Sequence, residues 1–280
     1  MLRALIALTF AAVLISGVRC EATQIAVIAC KDGIVVAADS KQGFNSNLPG
    51  FSHEAQTAEK LFLADNKVAF AIVGAPGTHI FDSQGTNLYS FDFLASFNKF
   101  QQDTLPRNAS IFTVESGMKE ILKKFAIGLG PYITNGTFEP ADFPGGHVIT
   151  IVLMGYVGKT PTIRVLSLDC DWQTKDILLP QSKTVKDRSF VLFGWNRAIE
   201  AAYTDPQSQE RRIAAKNYPK LMKGIDVFYM RRVVNTVEAE GIVIDCIRFA
   251  SKFDEEKVGP PIQVDVITSL GARPLKTFQD

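Results

Sequence analysis

Three residues in the first quarter of the chain, Thr23, Asp39 and Lys60, could together hydrolyse an amide bond. A threonine hydroxyl is a weak nucleophile. An amino-terminal threonine carries its own base, because an α-amine with a pKa of about 8 can accept the hydroxyl proton near neutral pH. A nearby lysine ammonium would disfavour protonation of that amine and stabilise the developing alkoxide, and an aspartate would keep the lysine charged. This chemistry requires Thr23 to be the first residue of the mature protein.

The start of the chain has the pattern of a signal peptide over residues 1–22. Arg3 gives a short basic start, residues 4–18 are apolar or small, and Cys20 and Ala22 occupy the −3 and −1 positions of a cleavage site before Thr23. An apolar run of about fifteen residues is shorter than the roughly twenty that a membrane span needs. A cut after Cys20 is the alternative, and it would leave Glu21-Ala22 blocking the amine of Thr23.

Charge and composition favour a soluble exported protein. The chain has 30 basic and 29 acidic residues, and removal of residues 1–22 takes away two arginines and one glutamate, which leaves 28 of each sign. A neutral chain lacks the basic footprint of a nucleic-acid-binding protein. We therefore expect no nucleic-acid partner, no membrane association after signal removal, and a secreted, periplasmic or luminal location.

Cysteine and histidine spacing predicts neither a metal site nor a cofactor. Cys30, Cys170 and Cys246 would remain in the mature chain, without metal-ligand spacing. Buried inert thiols are expected for Cys30 and Cys246, which lie in apolar segments. One disulfide among the three is the alternative, and the sequence does not choose the pair.

Two predicted β-hairpins hold the candidate residues. Residues 23–30 and 34–40 are rich in β-branched side chains and flank Lys31-Asp32-Gly33, where Asp-Gly is expected to supply the positive φ angles of a tight turn. Residues 58–63 and 68–74 form the second hairpin. Thr23 would begin the first strand, Asp39 would end the second and Lys60 would enter the third.

The remaining pattern predicts an α+β domain. Residues 78–102 and a stretch around 114–125 have helix-like spacing and are predicted to form a helix pair. Four strands follow, over residues 147–155, 162–168, 176–179 and 189–193. Residues 197–203 and 210–253 are predicted helical, with Gly224 and Gly241 dividing the second stretch into two or three helices. A last strand covers residues 262–270.

The stretch from Thr23 to Gly74 resembles the opening of a proteasome β-type subunit, a member of the N-terminal nucleophile hydrolases. That resemblance implies a four-layer αββα sandwich, with two antiparallel sheets between helical layers, in a single domain over residues 23–280. It implies that Thr23, Asp39 and Lys60 are catalytic and that the backbone N–H of Gly74 donates to the oxyanion. The implied reaction is hydrolysis of a peptide or other amide bond through an acyl-enzyme on Thr23.

Departures from that family pattern leave a second hypothesis open. The family has a serine where this chain reads Gly194-Trp195-Asn196, and Ala22 replaces the glycine that precedes the threonine in self-processing members. Release by a signal peptidase is therefore expected rather than self-cleavage. The alternatives are an acylase-like enzyme for small amides and a catalytically silent assembly or binding subunit. The expected partners are a peptide or small amide substrate and, as one option, further copies of the chain.

Overall fold

The computed structural model of the chain describes residues 23–42, 56–57, 59–74, 76–81, 86–185, 190–194, 196–229, 232–255, 258–273 and 276–278. The predicted signal peptide, residues 1–22, and Trp195 lie outside these residues. Within the described part, no helix combines the length and the apolar character needed to cross a bilayer.

The first sheet carries the candidate residues Thr23 and Asp39 at one end. Its strand order is β13-β1-β2-β14-β15, β16 also pairs with β14, and every pairing is antiparallel. The strands are β1 (Gln24–Ala29), β2 (Ile34–Asp39), β13 (Phe190–Gly194), β14 (Ile262–Thr268), β15 (Gly271–Ala272) and β16 (Lys276–Phe278). β1 and β2 are almost fully buried, which agrees with their nearly continuous apolar sequences.

The second sheet carries Lys60 and Gly74. Its order is β11-β10-β9-β6-β5, with β12 also paired to β10, and its pairings are antiparallel. The strands are β5 (Leu61–Asp65), β6 (Val68–Gly74), β9 (His147–Val157), β10 (Thr160–Asp171), β11 (Asp176–Ile177) and β12 (Gln181–Thr184). Lys60 comes directly before β5, and Gly74 is the last residue of β6.

The helices fall into two groups along the chain. They are α1 (Phe93–Asp103), α2 (Ile111–Thr134), α3 (Arg197–Thr204), α4 (Gln209–Asn217), α5 (Pro219–Phe228) and α6 (Thr236–Phe253), and a short 3₁₀ turn covers Pro144–Gly146. Side-chain caps fix several starts: Asp92 accepts the N–H of Ala95 before α1, and Ser110 accepts the N–H of Thr113 before α2. Such caps satisfy N–H groups that lack a partner within the helix.

The predicted helix over residues 78–102 is wrong in its first half. β7 (Gly77–Phe81) pairs with β8 (Asn87–Asp92) in a two-stranded ribbon, and α1 begins only after it. The ring of Phe91 stacks on Phe125 of α2 at 4.2 Å between centroids. Packing of alternate aromatic side chains against α2 therefore decides the strand conformation. A second ribbon pairs β3 (Lys41–Gln42) with β4 (Gln56–Thr57).

The first predicted hairpin is present, but its turn works differently from the expectation. Neither Asp32 nor Gly33 has a positive φ angle. The carboxylate of Asp32 instead accepts the N–H and the hydroxyl of Thr236 at 2.9 and 3.0 Å. A Cβ at Gly33 would lie 2.7 Å from Cγ2 of Thr236 and 2.9 Å from the carbonyl oxygen of Ile267. The turn residues Asp32 and Gly33 therefore contact Thr236 at the start of α6 and hold that helix against the hairpin.

Three hydrophobic cores bind the elements together. One core joins the first sheet to α3–α6, and it includes Ala26 and Ile242. Another joins the second sheet to α1 and α2, and it includes Phe70 and Leu122. In the third, side chains from β1 and β2 meet side chains from β6 and β9. This α+β packing brings the ends of β1, β2 and β5 near one another.

Candidate functional site

An ion pair between the two sheets forms the centre of the candidate site. Nζ of Lys60 lies 2.9 Å from Oδ1 of Asp39, and the side chains are 7% and 0% exposed. Asp39 ends β2 in the first sheet, whereas Lys60 precedes β5 in the second. Two of the residues selected from the sequence therefore contact each other directly, although they come from different sheets.

The same carboxylate oxygen also holds the beginning of β1. The backbone N–H of Gln24 donates to Oδ1 of Asp39 at 2.8 Å. Thr23 is the residue before Gln24, and it is 6% exposed. One oxygen of Asp39 thus accepts both the Lys60 ammonium and the peptide N–H that follows Thr23, which sets Thr23, Asp39 and Lys60 at one end of the first sheet.

Gly194 supports Thr23 from the neighbouring strand. In the β1–β13 ladder Gly194 is opposite Gln24, and its φ of 79° is in the left-handed region. A Cβ at this position would lie 1.9 Å from the carbonyl oxygen of Thr23. Glycine is required here on both counts, because other residues are strained at positive φ and any side chain would displace Thr23.

Gln263 is a residue of the site that the sequence reasoning missed. Its side-chain oxygen accepts the backbone N–H of Lys60 at 2.8 Å and that of Leu61 at 3.3 Å. The carbonyl of Lys60 accepts the N–H of Ile72 at 3.2 Å. Polar residues at alternate positions of a mostly apolar strand, Gln263 and Asp265, were the available signal, because alternate residues share one face of a strand.

Burial and the carboxylate act in opposite directions on Lys60. Removal from water lowers the pKa of the Lys60 ammonium, while the charge of Asp39 and its hydrogen bond raise it, and burial is the larger effect. The result is a pKa below the ordinary value of a lysine. Asp39 therefore favours the charged form of Lys60 against the effect of burial.

Gly74 lies at the end of the strand that follows Lys60. Its φ is 99°, and it is opposite Ile149 in the β6–β9 ladder. The backbone link from Ile72 to Lys60 fixes this end of β6 beside the start of β5. A positive φ at a strand end explains the glycine by itself, so the predicted oxyanion role of Gly74 stays a prediction.

The buried cysteines offer no competing nucleophile. Cys30, Cys170 and Cys246 are buried and none is in a disulfide. Burial raises the pKa of the Cys30 thiol to about 12 and that of Cys170 to about 11, with help from neighbouring aspartates, and burial also raises the pKa of Cys246. All three stay protonated near neutral pH, and a protonated thiol is a poor nucleophile.

Comparisons with known proteins identify the fold. No model of a known protein family matches the chain, and no curated protein sequence does. Among solved structures, the chain is similar to Anbu, an ancestral beta-subunit, from Yersinia bercovieri, with a TM-score of 0.50 and 10% identity over 92% of this chain and 87% of that one. The chain has a proteasome-like fold. At this identity the likeness concerns the fold alone.

Within this proteasome-like fold, the side chain of Gln24 is a buried polar group. Gln24 is 0% exposed, and among the described residues neither its Nε2 nor its Oε1 has a hydrogen-bond partner. Leaving such an amide unsatisfied typically costs about 1 to 3 kcal/mol. This destabilising amide belongs to the residue that directly follows Thr23.

The other expectations from the sequence concern a metal site and the serine of the family pattern. No group of three or more His, Cys, Asp or Glu side chains that could hold a metal ion occurs among the described residues. Asn196 precedes α3, but its side chain does not cap that helix. The serine of the family pattern is absent from Gly194-Trp195-Asn196, and the structure offers no hydroxyl at Gly194 or Asn196 in its stead.

Proposed function

We propose that this chain is an exported N-terminal nucleophile hydrolase that cleaves peptide or other amide bonds through an ester on Thr23. One observation carries the proposal: Oδ1 of Asp39 binds both Nζ of Lys60 and the N–H of Gln24, the residue after Thr23. A proteasome-like fold makes this arrangement chemically meaningful. Fold alone does not imply activity, so the proposal rests on this arrangement of Asp39 and Lys60 beside the backbone that follows Thr23.

The elements of the domain support a finer description of its architecture. We infer that they stack as a four-layer αββα sandwich in a single domain over residues 23–280. The support is the sequence of cores: one between helices and the first sheet, one between the sheets, and one between the second sheet and helices. In such a stack Thr23, Asp39 and Lys60 lie at one end of the central strands.

The reaction begins once the bond between Ala22 and Thr23 has been cut. The freed α-amine accepts the hydroxyl proton of Thr23, and Oγ1 attacks the substrate carbonyl carbon. The tetrahedral oxyanion receives a hydrogen bond from the N–H of Gly74, an interaction worth about 3 to 4 kcal/mol in comparable sites. Collapse breaks the C–N bond, and the amine of Thr23 returns the proton to the leaving nitrogen. Water activated by the same amine then hydrolyses the ester.

Lys60 serves this cycle as a fixed positive charge. Its ammonium lowers the pKa of the neighbouring amine, so that the amine is unprotonated near neutral pH, and it stabilises the alkoxide of Thr23. Asp39 holds Lys60 in the charged state against the effect of burial. Each residue thus has a distinct role: Thr23 attacks and transfers the proton, Lys60 supplies charge, and Asp39 orients Lys60.

The proposal is tested by the mature amino terminus and its reactivity. The protein is produced with its leader in an exporting host, its mass is measured, and it is treated with a peptide epoxyketone, which reacts with the hydroxyl and the amine of an amino-terminal threonine. We expect a chain beginning at Thr23 that gains one adduct, no adduct in Thr23→Ala, and an adduct in the control Thr23→Ser. A mature chain that begins at Thr23 but does not react with the epoxyketone would refute the proposed hydrolase activity.

A second candidate function is a catalytically silent assembly or binding subunit. The observation that favours it is the absence of a serine from Gly194-Trp195-Asn196, since related subunits use that hydroxyl beside the threonine amine. A mature chain that begins at Glu21 and forms no adduct would support this function. An enzyme for small amides would instead label at Thr23 but cleave acyl amides in preference to peptides.

A further inference from the structure

The backbone of Lys60 is held from the opposite sheet by a neutral side chain. Oε1 of Gln263, on β14, accepts the N–H of Lys60 at 2.8 Å and the N–H of Leu61 at 3.3 Å. Gln263 is 8% exposed and Leu61 3%, so these bonds are shielded from water. Without Gln263, two buried N–H groups at the start of β5 would lose this acceptor.

The side chain of Lys60 is held by the strand next to Gln263. In the β2–β14 ladder Gln263 is opposite Ala38, and Ile262 is opposite Asp39. The two neighbouring strands therefore present two acceptors to one residue: Gln263 to the backbone of Lys60, and Asp39 to its ammonium. Fixing both ends of a flexible lysine removes most of the freedom of its four-carbon chain.

We propose that Gln263 is a positioning residue. It fixes the backbone of Lys60, so that the ammonium of Lys60 reaches Asp39 beside Thr23. This inference rests on the proposed function of Lys60. In this role Gln263 acts through Lys60. A shift of about 1 Å in a positioned group can change a rate by about a hundredfold, so the two hydrogen bonds are sufficient for a measurable effect.

The positioning role also requires that the side chain of Gln263 is uncharged. A glutamate would keep an oxygen acceptor for the N–H groups of Lys60 and Leu61, but it would add a negative charge to a buried site that already contains Asp39. That charge would raise the pKa of Lys60 and compete with Asp39 for the ammonium. Gln263→Leu and Gln263→Glu therefore test different properties, because the first removes the acceptor, whereas the second keeps an acceptor oxygen and replaces the neutral amide with a carboxylate.

The test uses the processed chain and measures the rate of epoxyketone labelling at Thr23 against pH. We expect Gln263→Leu to reduce the rate about tenfold to a hundredfold near pH 7.5. We expect Gln263→Glu to move the alkaline limit of labelling to higher pH. Asp265→Asn is the matched control, because Asp265 is on the same strand, is also buried and accepts a hydrogen bond from the N–H of Val266, its own neighbour in the strand. Its labelling rate should match wild type.

A second measurement separates this inference from the proposed function. The pKa of Lys60 is followed by NMR of its ε-carbon, which requires no activity. If wild type fails to label but Gln263→Leu lowers the pKa of Lys60, because the ammonium has lost its contact with Asp39, the positioning role stands and the hydrolase proposal is wrong. If wild type labels and both Gln263 variants fold with wild-type rates, pH limits and Lys60 pKa, the positioning role is overturned. Where Gln263→Leu does not fold, Gln263→Met, which has a similar length and lacks the amide oxygen, replaces it in both measurements.

Discussion

The carboxylate of Asp39 and the ammonium of Lys60 meet at 2.9 Å although they belong to different sheets. Because both are buried, neither charge has bulk water as an alternative partner. Loss of one partner of such a pair typically costs about 3 to 5 kcal/mol, since the remaining charge stays uncompensated. The pair therefore links the stability of the sheet interface to the chemistry at Thr23.

Asp39→Asn should lower both the rate of Thr23 labelling and its alkaline pH limit. Burial already lowers the pKa of Lys60, and Asp39 is the group that raises it. Without the carboxylate the pKa falls further, so Lys60 loses its proton, and its effect on the threonine amine, at a lower pH. Labelling rates measured from pH 6 to 10 test this expectation. An alkaline limit equal to that of wild type would show that Lys60 does not supply the charge.

Gly194→Ala should displace Thr23, whereas Gly158→Ala should not. Both glycines have left-handed backbone, with φ of 79° and 63°, so both substitutions carry the same kind of strain, about 1 to 2 kcal/mol. Only at Gly194 would the new Cβ collide with backbone, 1.9 Å from the carbonyl oxygen of Thr23, and around Gly158 there is open space. We expect labelling to be lost in Gly194→Ala at a temperature where both variants are folded by circular dichroism. Equal labelling of the two would contradict the contact.

The sequence predicted the strands that hold the site, because their signals are local. Residues 24–29 and 34–39 are rich in β-branched residues, and the structure has β1 and β2 there. Strands at 147–157, 160–171 and 190–194 agree with the expectation to within a few residues. Thr23, Asp39 and Lys60 could be selected because each one begins, ends or precedes such a strand, at the places that resemble a proteasome β-type subunit, and their catalytic roles stay a prediction.

Features decided by tertiary contacts could not be predicted in the same way. Gly224 and Gly241 were expected to interrupt helices, but they lie inside α5 and α6. A Cβ at Gly224 would lie 2.4 Å from the hydroxyl of Tyr203, and one at Gly241 would lie 2.6 Å from Lys220. These glycines permit close packing. The helices instead end at Asn217, before Pro219, and at Phe228. Gln263 was missed for a similar reason, since its acceptor role exists only where the two sheets meet.

Glu115→Gln should destabilise the protein by roughly 3 kcal/mol, because it leaves the guanidinium of Arg164 uncompensated. Glu115 is 3% exposed and accepts hydrogen bonds from Arg164, Ser182 and Lys119. Burial alone would raise its pKa, but these hydrogen bonds and the charge of Arg164 lower it to about 2. The carboxylate therefore stabilises the fold above its ordinary pKa, and that contribution is lost as the pH falls toward 2.

The matched control for this change lies on the same helix. Glu120 pairs with Lys123 at 2.6 Å, but both side chains are exposed, and exposed pairs contribute about 0 to 1 kcal/mol. Urea unfolding of Glu120→Gln at pH 7 should therefore resemble wild type. Similar midpoints for Glu115→Gln and Glu120→Gln would mean that the buried cluster does not stabilise the contact of α2 with β10.

Asp265 should make the protein less stable as the pH rises, in contrast to Glu115. Asp265 is 4% exposed, and burial raises the pKa of its carboxyl, while one hydrogen bond from the N–H of Val266 lowers it by a smaller amount. The folded state thus binds the proton more tightly than the unfolded state. The free energy of unfolding falls as the pH increases from about 4 through the raised pKa, where the buried carboxyl ionises.

Asp265→Asn keeps an oxygen acceptor for Val266 but cannot ionise. Urea unfolding of both proteins between pH 4 and pH 7 should therefore show the stability difference shifting in favour of Asp265→Asn as the pH increases. A constant or opposite difference would mean that burial does not raise the pKa of Asp265.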